Sequence, residues 1–338
     1  MDSQLPAKLR AAVKSGLIPG LHACLIVRNG AIAAEAYFEG EDANWGRPIG
    51  MVKHGPGTLH DLRSVTKSIV SLLYGIALGR GLVPPPEAPL MAEFPHFADL
   101  AKDVGRQQWT IAHALTMSLG TEWNEEVPYT DPANSEIQME HAADRSRFVL
   151  DRPLREAPGT RWVYNGGTSA LIAEIIERGT GKSLLDFAHE ALFVPLGIVR
   201  VEWNAGRDGK HSAASGLRLS ARDLSRIGQM LLERGRAGGL QIVSGAWIDQ
   251  STAPRIETGE GLSYGYQWWL GAAAPGLRRS AEQRWFAGFR NGGQRLFVMP
   301  AAKLAMVTYF GNYDRMDSWK FPIRLWWEIV LPSLVPLK

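Results

Sequence analysis

Ser64-Val65-Thr66-Lys67 is the only Ser-x-x-Lys in the 338-residue chain. If the tetrapeptide opens a helix, the three-residue spacing sets both side chains on one face, with Cβ atoms about 5–6 Å apart. A serine hydroxyl is a weak nucleophile until a neighbouring base takes its proton. A lysine can be that base where burial or a nearby positive charge lowers its pKa. Taken alone, the tetrapeptide is equally a serine N-cap followed by a solvated lysine. Tyr164 supplies a second proton-transfer group. It follows the extended stretch Gly159-Thr160-Arg161-Trp162-Val163 and precedes Asn165-Gly166-Gly167. From a glycine-rich loop a tyrosine can lean over the serine, or it can be a packed aromatic.

Other chemistry-bearing patterns lose on context. Gly261-Leu262-Ser263-Tyr264-Gly265 matches G-x-S-x-G, but that elbow must run into a helix and precede its histidine. Here Tyr266-Gln267-Trp268-Trp269 favours a strand, and the last histidine is His211. Gly181-Lys182-Ser183 resembles the end of a phosphate loop, yet Ile176 stands where that loop needs glycine, so a helix-to-helix turn is expected. His54 and His60 flank a Gly-Pro-Gly turn and read as loop histidines rather than metal ligands. The single cysteine, Cys24, excludes an intrachain disulfide and a cysteine metal cluster.

The elements that must carry Ser64, Lys67 and Tyr164 are legible in outline. Leu21–Val27 and Ala31–Glu39 are β-rich runs, and the intervening Asn29-Gly30 favours a tight hairpin. Trp285–Phe289, Gln294–Met299 and Leu304–Phe310 predict a C-terminal meander. Between these regions the pattern is helical. Ser64–Arg80 is closed by Gly81, Ser169–Arg178 is stopped by Gly179, and a helix capped by Ser220 runs to about Arg234. Strands at both ends with helices between them imply one sheet assembled from both termini, with an inserted helical lobe and a cleft between the two. With 45% hydrophobic and 21% charged residues the chain is globular rather than disordered. A net charge of +3, with no basic run, argues against nucleic acid. No apolar run reaches the roughly 18 residues of a membrane span, and the N-terminus lacks a signal-peptide pattern. A cytoplasmic protein is therefore expected.

Six stretches, in order, resemble one family. They are Leu62–Ser68, Leu115–Gly120, Trp162-Val163-Tyr164, Gly216–Leu224, Tyr264–Trp269 and Gly292-Gly293-Gln294. The family is that of the serine β-lactamases and penicillin-binding-protein-like hydrolases, in the branch holding class C β-lactamases, β-lactamase-fold esterases and 6-aminohexanoate-dimer hydrolases. The resemblance implies an α+β fold in which residues 1–60 and 235–338 form the sheet lobe and residues 61–234 the helical lobe. It also implies a covalent acyl-enzyme on Ser64, with Lys67 and Tyr164 sharing the proton transfers. The oxyanion would be held by the Ser64 N–H and by one from the segment Phe289 to Asn291, with Asn291 the best match. Tyr129 resembles a second tyrosine that the nylon-oligomer hydrolases place near the leaving amine. Where those enzymes hold a carboxylate for the substrate's ammonium, the chain brings His141 or Asp144 with no clean match, which argues against a nylon oligomer as substrate.

Two departures bear on the substrate. The third residue of the family's Tyr-x-Asn is Gly166, with Asn165 one position early, and the strand Lys-Thr-Gly is replaced by Gly288-Phe289-Arg290. Arg290 either meets a substrate carboxylate or is a solvated edge residue, the second being favoured. The expected partner is a small ester or amide, with no cofactor, no metal, no nucleic acid and no membrane, in a monomer or homodimer.

Overall fold

The computed structural model describes residues 4–259, 261–272 and 284–333. Helix α1 (Leu5–Lys14) precedes strands β1 (Leu21–Arg28) and β2 (Ala31–Tyr37). Asn29 and Gly30 between the strands are both left-handed, at φ 52° and 79°. Their twist matches that of the flanking strands, which is why Asn-Gly is favoured there. The ribbon β3 (Glu39–Asn44) and β4 (Arg47–Lys53) follows, then β5 (His60–Asp61), which leads into α2 (Val65–Gly79). Beyond several short helices come α3 (Gly166–Thr180), β6 (Leu217–Leu219), which pairs with β5, and α4 (Ala221–Leu232). The Ser220 side chain caps α4 by accepting the Asp223 N–H. The chain then runs through β7 (Ile256–Glu257), β8 (Ser263–Tyr264), β9 (Trp269–Ala272), β10 (Arg284–Phe289), β11 (Arg295–Met299) and β12 (Leu304–Phe310).

These last strands and the first two form one antiparallel sheet in the order β7-β8-β9-β10-β11-β12-β1-β2. The termini therefore share a sheet, and the fold is α+β. Both faces are covered. Ala23, Leu25 and Val27 of β1 and Ala305 and Val307 of β12 join the core beneath α2 and α4. The alternate residues Cys24, Ile26, Leu304 and Met306 pack with α1 and with Leu325, Trp326 and Ile329. Strands buried on both faces read as continuous apolar runs. Each fully buried Leu or Ile contributes roughly 1.5–3 kcal/mol.

Three local expectations change. First, α3 begins at Gly166 rather than Ser169, because the Asn165 side chain caps it by accepting the Thr168 N–H. Second, α3 ends at left-handed Gly181 rather than at Gly179. Gly179 is instead a packing glycine, since a Cβ there would lie 2.1 Å from the Leu82 carbonyl oxygen. Third, His60 is not a loop histidine: it is fully buried on β5, where His22, His54 and Asp42 meet it. Ser263 lies on a strand paired with β9 and donates to Glu257, which removes the elbow reading. Gly181 to Ser183 is a helix-to-helix turn in which Ser183 caps Leu184–Ala188. Among the described residues no helix is long and apolar enough to cross a membrane.

Candidate active site

Ser64 sits where β5 hands over to α2. The residue before it, Arg63, has φ 47°, a left-handed backbone that costs a non-glycine residue about 1–3 kcal/mol. Two more such residues, Met117 (φ 55°) and Gln267 (φ 65°), border the same centre. Packing holds all three. The Arg63 guanidinium is buried and lies 5.3 Å from the Tyr129 ring centroid. Ser68 of α2 donates to the Gln267 carbonyl at 2.7 Å, and Ser169 of α3 donates to the Gln267 side chain at 2.7 Å. The Asn165 N–H meets the Met117 sulfur at 3.4 Å. Gly288 lets β10 close on α2, since a Cβ there would come within 2.7 Å of the Ser68 Oγ. Val65, Thr66 and Lys67 donate their N–H groups back to Leu62, Arg63 and Ser64. That turn leaves the Ser64 N–H outside the helix ladder.

The structure brings Ser64, Lys67 and Tyr164 together. Lys67 Nζ is 3.4 Å from Ser64 Oγ, 3.3 Å from Glu136 Oε2 and 2.8 Å from the Ala214 carbonyl. Three acceptors around one nitrogen suit a protonated amine. Burial works to lower the Lys67 pKa, but Glu136, Tyr164 and Glu125 together outweigh it and the pKa lies above the ordinary lysine value. The expectation of a lysine left neutral by a lowered pKa is thus corrected: its charge is held by the anionic neighbour Glu136. Tyr164 is 3% exposed, its hydroxyl faces Ser64 and Lys67, and its ring lies 5.0 Å from Lys67 Nζ. Burial raises its pKa, so it is a neutral phenol.

Glu125 and Glu136 are the residues that sequence reasoning missed. Glu136 receives the Lys67 ammonium and the Ser215 hydroxyl, the latter at 2.7 Å. Glu125 accepts the Trp123 indole N–H, the Gly166 N–H and, at 3.0 Å, the Tyr129 hydroxyl. Burial, and then the neighbouring Glu136, push Glu125 up to about 7. Burial opposes ionisation of Glu136 too, but Lys67, the Ser215 hydroxyl and Arg63 together hold it below the usual carboxylate range. These two acids explain Gly166. A Cβ at that position would lie 2.6 Å from Glu136 Oε2 and 3.1 Å from Glu125 Oε1. Gly166 therefore presents no side chain to a substrate, and carboxylates fill the space around it. Asn165 points into its helix cap rather than into the site.

Glu125 has a measurable signature. Its pKa is raised on folding, so between about pH 4.5 and 7 the native state binds more protons than the unfolded chain. Its contribution to stability is complete below about pH 4.5 and is lost as pH rises through about 7. Glu125→Gln keeps the shape and removes the titration. Urea unfolding from pH 5 to pH 8 is expected to show wild type losing on the order of 2 kcal/mol more than the variant. Parallel curves would contradict this.

The remaining candidates line or border a cavity of about 850 Å³ whose walls include Glu125, Tyr129, Trp269, Trp285, Phe289 and Arg290. Arg290 is not a solvated edge residue. Its guanidinium lies 4.2 Å from the Tyr164 ring centroid and 3.0 Å from Glu126. Asn291 also lines the cavity, and its side chain exchanges hydrogen bonds with Asp314, donating to its carboxylate and accepting its N–H, both at 2.9 Å. Asp144 is spent as the cap of the helix Arg145–Leu150, and His141 bonds the Ile137 carbonyl. The carboxylates at the centre are thus Glu125 and Glu136.

The chain is similar to known proteins in sequence and in fold. A sequence model of the beta-lactamase family matches residues 5–324. The 6-aminohexanoate-dimer hydrolase of Paenarthrobacter ureafaciens is 26% identical over 330 residues, covering 90% of this chain and 74% of its own. The lovastatin esterase of Penicillium rubens is 27% identical over 209 residues, or 56% of this chain and 50% of the esterase. A penicillin-binding protein homologue from Caulobacter crescentus superposes with a TM-score of 0.71 at 16% identity, over 98% of each chain, and so shares the fold.

Proposed function

The chain belongs to the beta-lactamase family, and from that premise we propose that it is a serine hydrolase cleaving small esters or amides through an acyl-enzyme on Ser64. The observation that carries this reading is the chain of contacts from Ser64 Oγ to Lys67 Nζ to Glu136 Oε2, at 3.4 and 3.3 Å. As Ser64 Oγ attacks the substrate carbonyl carbon, its proton passes to Lys67, and Lys67 gives one of its own to Glu136. The ammonium persists beside the developing oxyanion throughout. The Ser64 N–H and an N–H from the segment 289–291 are the proposed oxyanion donors, each worth roughly 3–4 kcal/mol. The proton held on Glu136 returns through Lys67 and the Tyr164 hydroxyl to the leaving alcohol or amine. The acyl-enzyme forms as the carbonyl–heteroatom bond breaks. In the second half a water attacks, its proton takes the same route, and Ser64 is released with its proton restored.

The substrate side rests on Gly166 and Arg290. A β-lactam presents an amide and a carboxylate, which the resemblance assigns to the asparagine of Tyr-x-Asn and the strand lysine. Gly166 offers no side chain, and Arg290 is already paired with Glu126. The names of the relatives point to an amide dimer and to an ester. A linear amide is the second reading, favoured by Tyr129, which the Glu125 carboxyl holds at the cavity wall. The test is kcat/KM for p-nitrophenyl butyrate, a short linear amide and nitrocefin on one preparation. Each lost charge-assisted hydrogen bond costs about 1.5–3 kcal/mol, so nitrocefin is expected to trail the ester by roughly 10²- to 10⁴-fold. Nitrocefin ahead of the ester would reverse the substrate class, and no turnover of any of the three would leave a binding protein.

A further inference from the structure

We propose that His22, Asp42 and His60 form a binding site for one divalent metal ion of the zinc type, with the Tyr313 hydroxyl as a neighbouring oxygen. The three residues come from β1, β3 and β5, and one ligand atom from each lies within 4.8 Å of the others. His22 Nδ1 is 3.0 Å from His60 Nε2, and Asp42 Oδ1 is 3.6 Å from the same nitrogen. Tyr313 Oη is 2.9 Å from Asp42 Oδ1 and 3.5 Å from His60 Nε2. Tetrahedral zinc, with bonds of about 2.0–2.2 Å to nitrogen and oxygen, sets adjacent ligand atoms roughly 3.2–3.5 Å apart. The two separations from His60 Nε2, 3.0 and 3.6 Å, bracket that spacing without an ion to impose it, and the third lies within 4.8 Å.

The surroundings orient the donors as a metal site requires. His60 Nδ1 lies 3.0 Å from the Asp61 carbonyl oxygen. It must donate there, which turns the Nε2 lone pair toward His22 and Asp42. A backbone carbonyl on the far ring nitrogen is the usual outer support of a metal-bound histidine. The Ala43 N–H and the Tyr313 hydroxyl both donate to Asp42 Oδ1. The His22 ring is clamped edge-on, since a Cβ at either Gly40 or Gly311 would come within 2.5 Å of it.

Protein atoms alone leave this arrangement incomplete. The Asp42 and His60 side chains are wholly buried, yet among the described residues Asp42 Oδ2 has no hydrogen-bond partner. With the His60 proton on Nδ1, Nε2 can accept from His22 Nδ1 but has no proton to offer Asp42 Oδ1, 3.6 Å away. A buried carboxylate is costly unless a cation or full hydrogen bonding meets it, and a divalent ion between these donors supplies that cation. The donor set, two imidazoles and a carboxylate, is one that zinc favours. Burial throughout makes the role structural: His60 stands four residues before Ser64, so the ion would tie the segment leading to Ser64 to β1 and β3.

The test uses the full chain, treated with a chelator and desalted, then titrated with Zn(II) and with Co(II) as a spectroscopic substitute. One equivalent is expected to survive desalting, with visible Co(II) bands of tetrahedral intensity. The thermal midpoint should rise by roughly 5 °C at a hundredfold excess over Kd. Asp42→Asn keeps the shape and removes the anionic ligand, so it is expected to weaken binding more than tenfold. His54→Gln alters a ring stacked on His22 at 4.2 Å that is not in the donor set, and should bind as wild type does. Folded wild-type protein that gives neither the Co(II) bands nor a midpoint shift would make the cluster a purely hydrogen-bonded one and overturn the proposal. Undiminished binding by Asp42→Asn would overturn it as well. If Asp42→Asn does not fold, the wild-type Co(II) spectrum and stoichiometry decide. None of these readouts depends on hydrolysis, so the metal site and the hydrolase reading stand or fall separately.

Discussion

Ser64→Ala is expected to lower kcat/KM for p-nitrophenyl butyrate by about 10⁴- to 10⁶-fold while leaving the thermal midpoint within about 2 °C of wild type. The activity loss follows from the proposed chemistry: without Oγ there is no acyl-enzyme, and only binding and the oxyanion donors remain. The small effect on stability follows from the contacts. The Ser64 hydroxyl meets Lys67 Nζ at a long 3.4 Å and faces the Tyr164 hydroxyl, and Lys67 keeps its bonds to Glu136 and the Ala214 carbonyl. A net hydrogen bond contributes about 0.5–1.5 kcal/mol, and a stretched one less. A fluorophosphonate probe should label Ser64 alone. An adduct on Ser263, which lies on β8 and donates to Glu257, would overturn the mechanism. A midpoint lowered by about 6 °C or more would make the lost activity a folding effect.

The second large effect is expected at the Lys67–Glu136 pair. Lys67→Ala should cost about 10²- to 10⁴-fold in kcat/KM. It should also destabilise by about 3–5 kcal/mol, because it strands a buried carboxylate. Adding Glu136→Gln to Lys67→Ala removes that stranded charge, so the double variant should be more stable than Lys67→Ala and hardly less active. Glu136→Gln alone separates two mechanisms. It leaves burial as the main influence on Lys67, whose pKa must fall. If a neutral lysine were the working base, the variant would be faster than wild type at neutral pH. If the proton passes through Lys67 to the carboxylate, it would be slower by about tenfold or more, and the deficit would persist as pH rises. The slower outcome is expected, and a faster variant would remove Glu136 from the reaction.

Features that depend on neighbours in sequence are legible in the sequence. Asn29-Gly30 turns the first hairpin because positive φ is a property of those two residues. Ser220 caps α4 because its side chain reaches an N–H three residues on. Ser64 and Lys67 meet because i and i+3 share a helix face. The start of α3 was misplaced for a local reason as well. Asn165 capping outweighs two consecutive glycines at the first helical positions, a competition that propensity alone does not decide.

The α+β order of elements, the sheet shared by both ends of the chain, and Ser64, Lys67 and Tyr164 as the proposed set can therefore be read from the sequence by itself. Tertiary structure alone decided the electrostatic state of that set. Glu136 lies 69 residues from Lys67, and no periodicity or spacing announces their meeting. Yet the strength of a charge interaction depends on separation and burial, both of which are set by packing between distant segments. Gly166 looks in sequence like a lost asparagine; in three dimensions it is the space into which two carboxylates fit. Arg290 reads as an edge residue on its strand, but the end of β10 turns it onto Tyr164. His22, Asp42 and His60 carry no metal-binding spacing, and only the convergence of β1, β3 and β5 makes them neighbours. Backbone form is written in local preference, whereas the charge on a buried side chain belongs to whatever the fold packs against it.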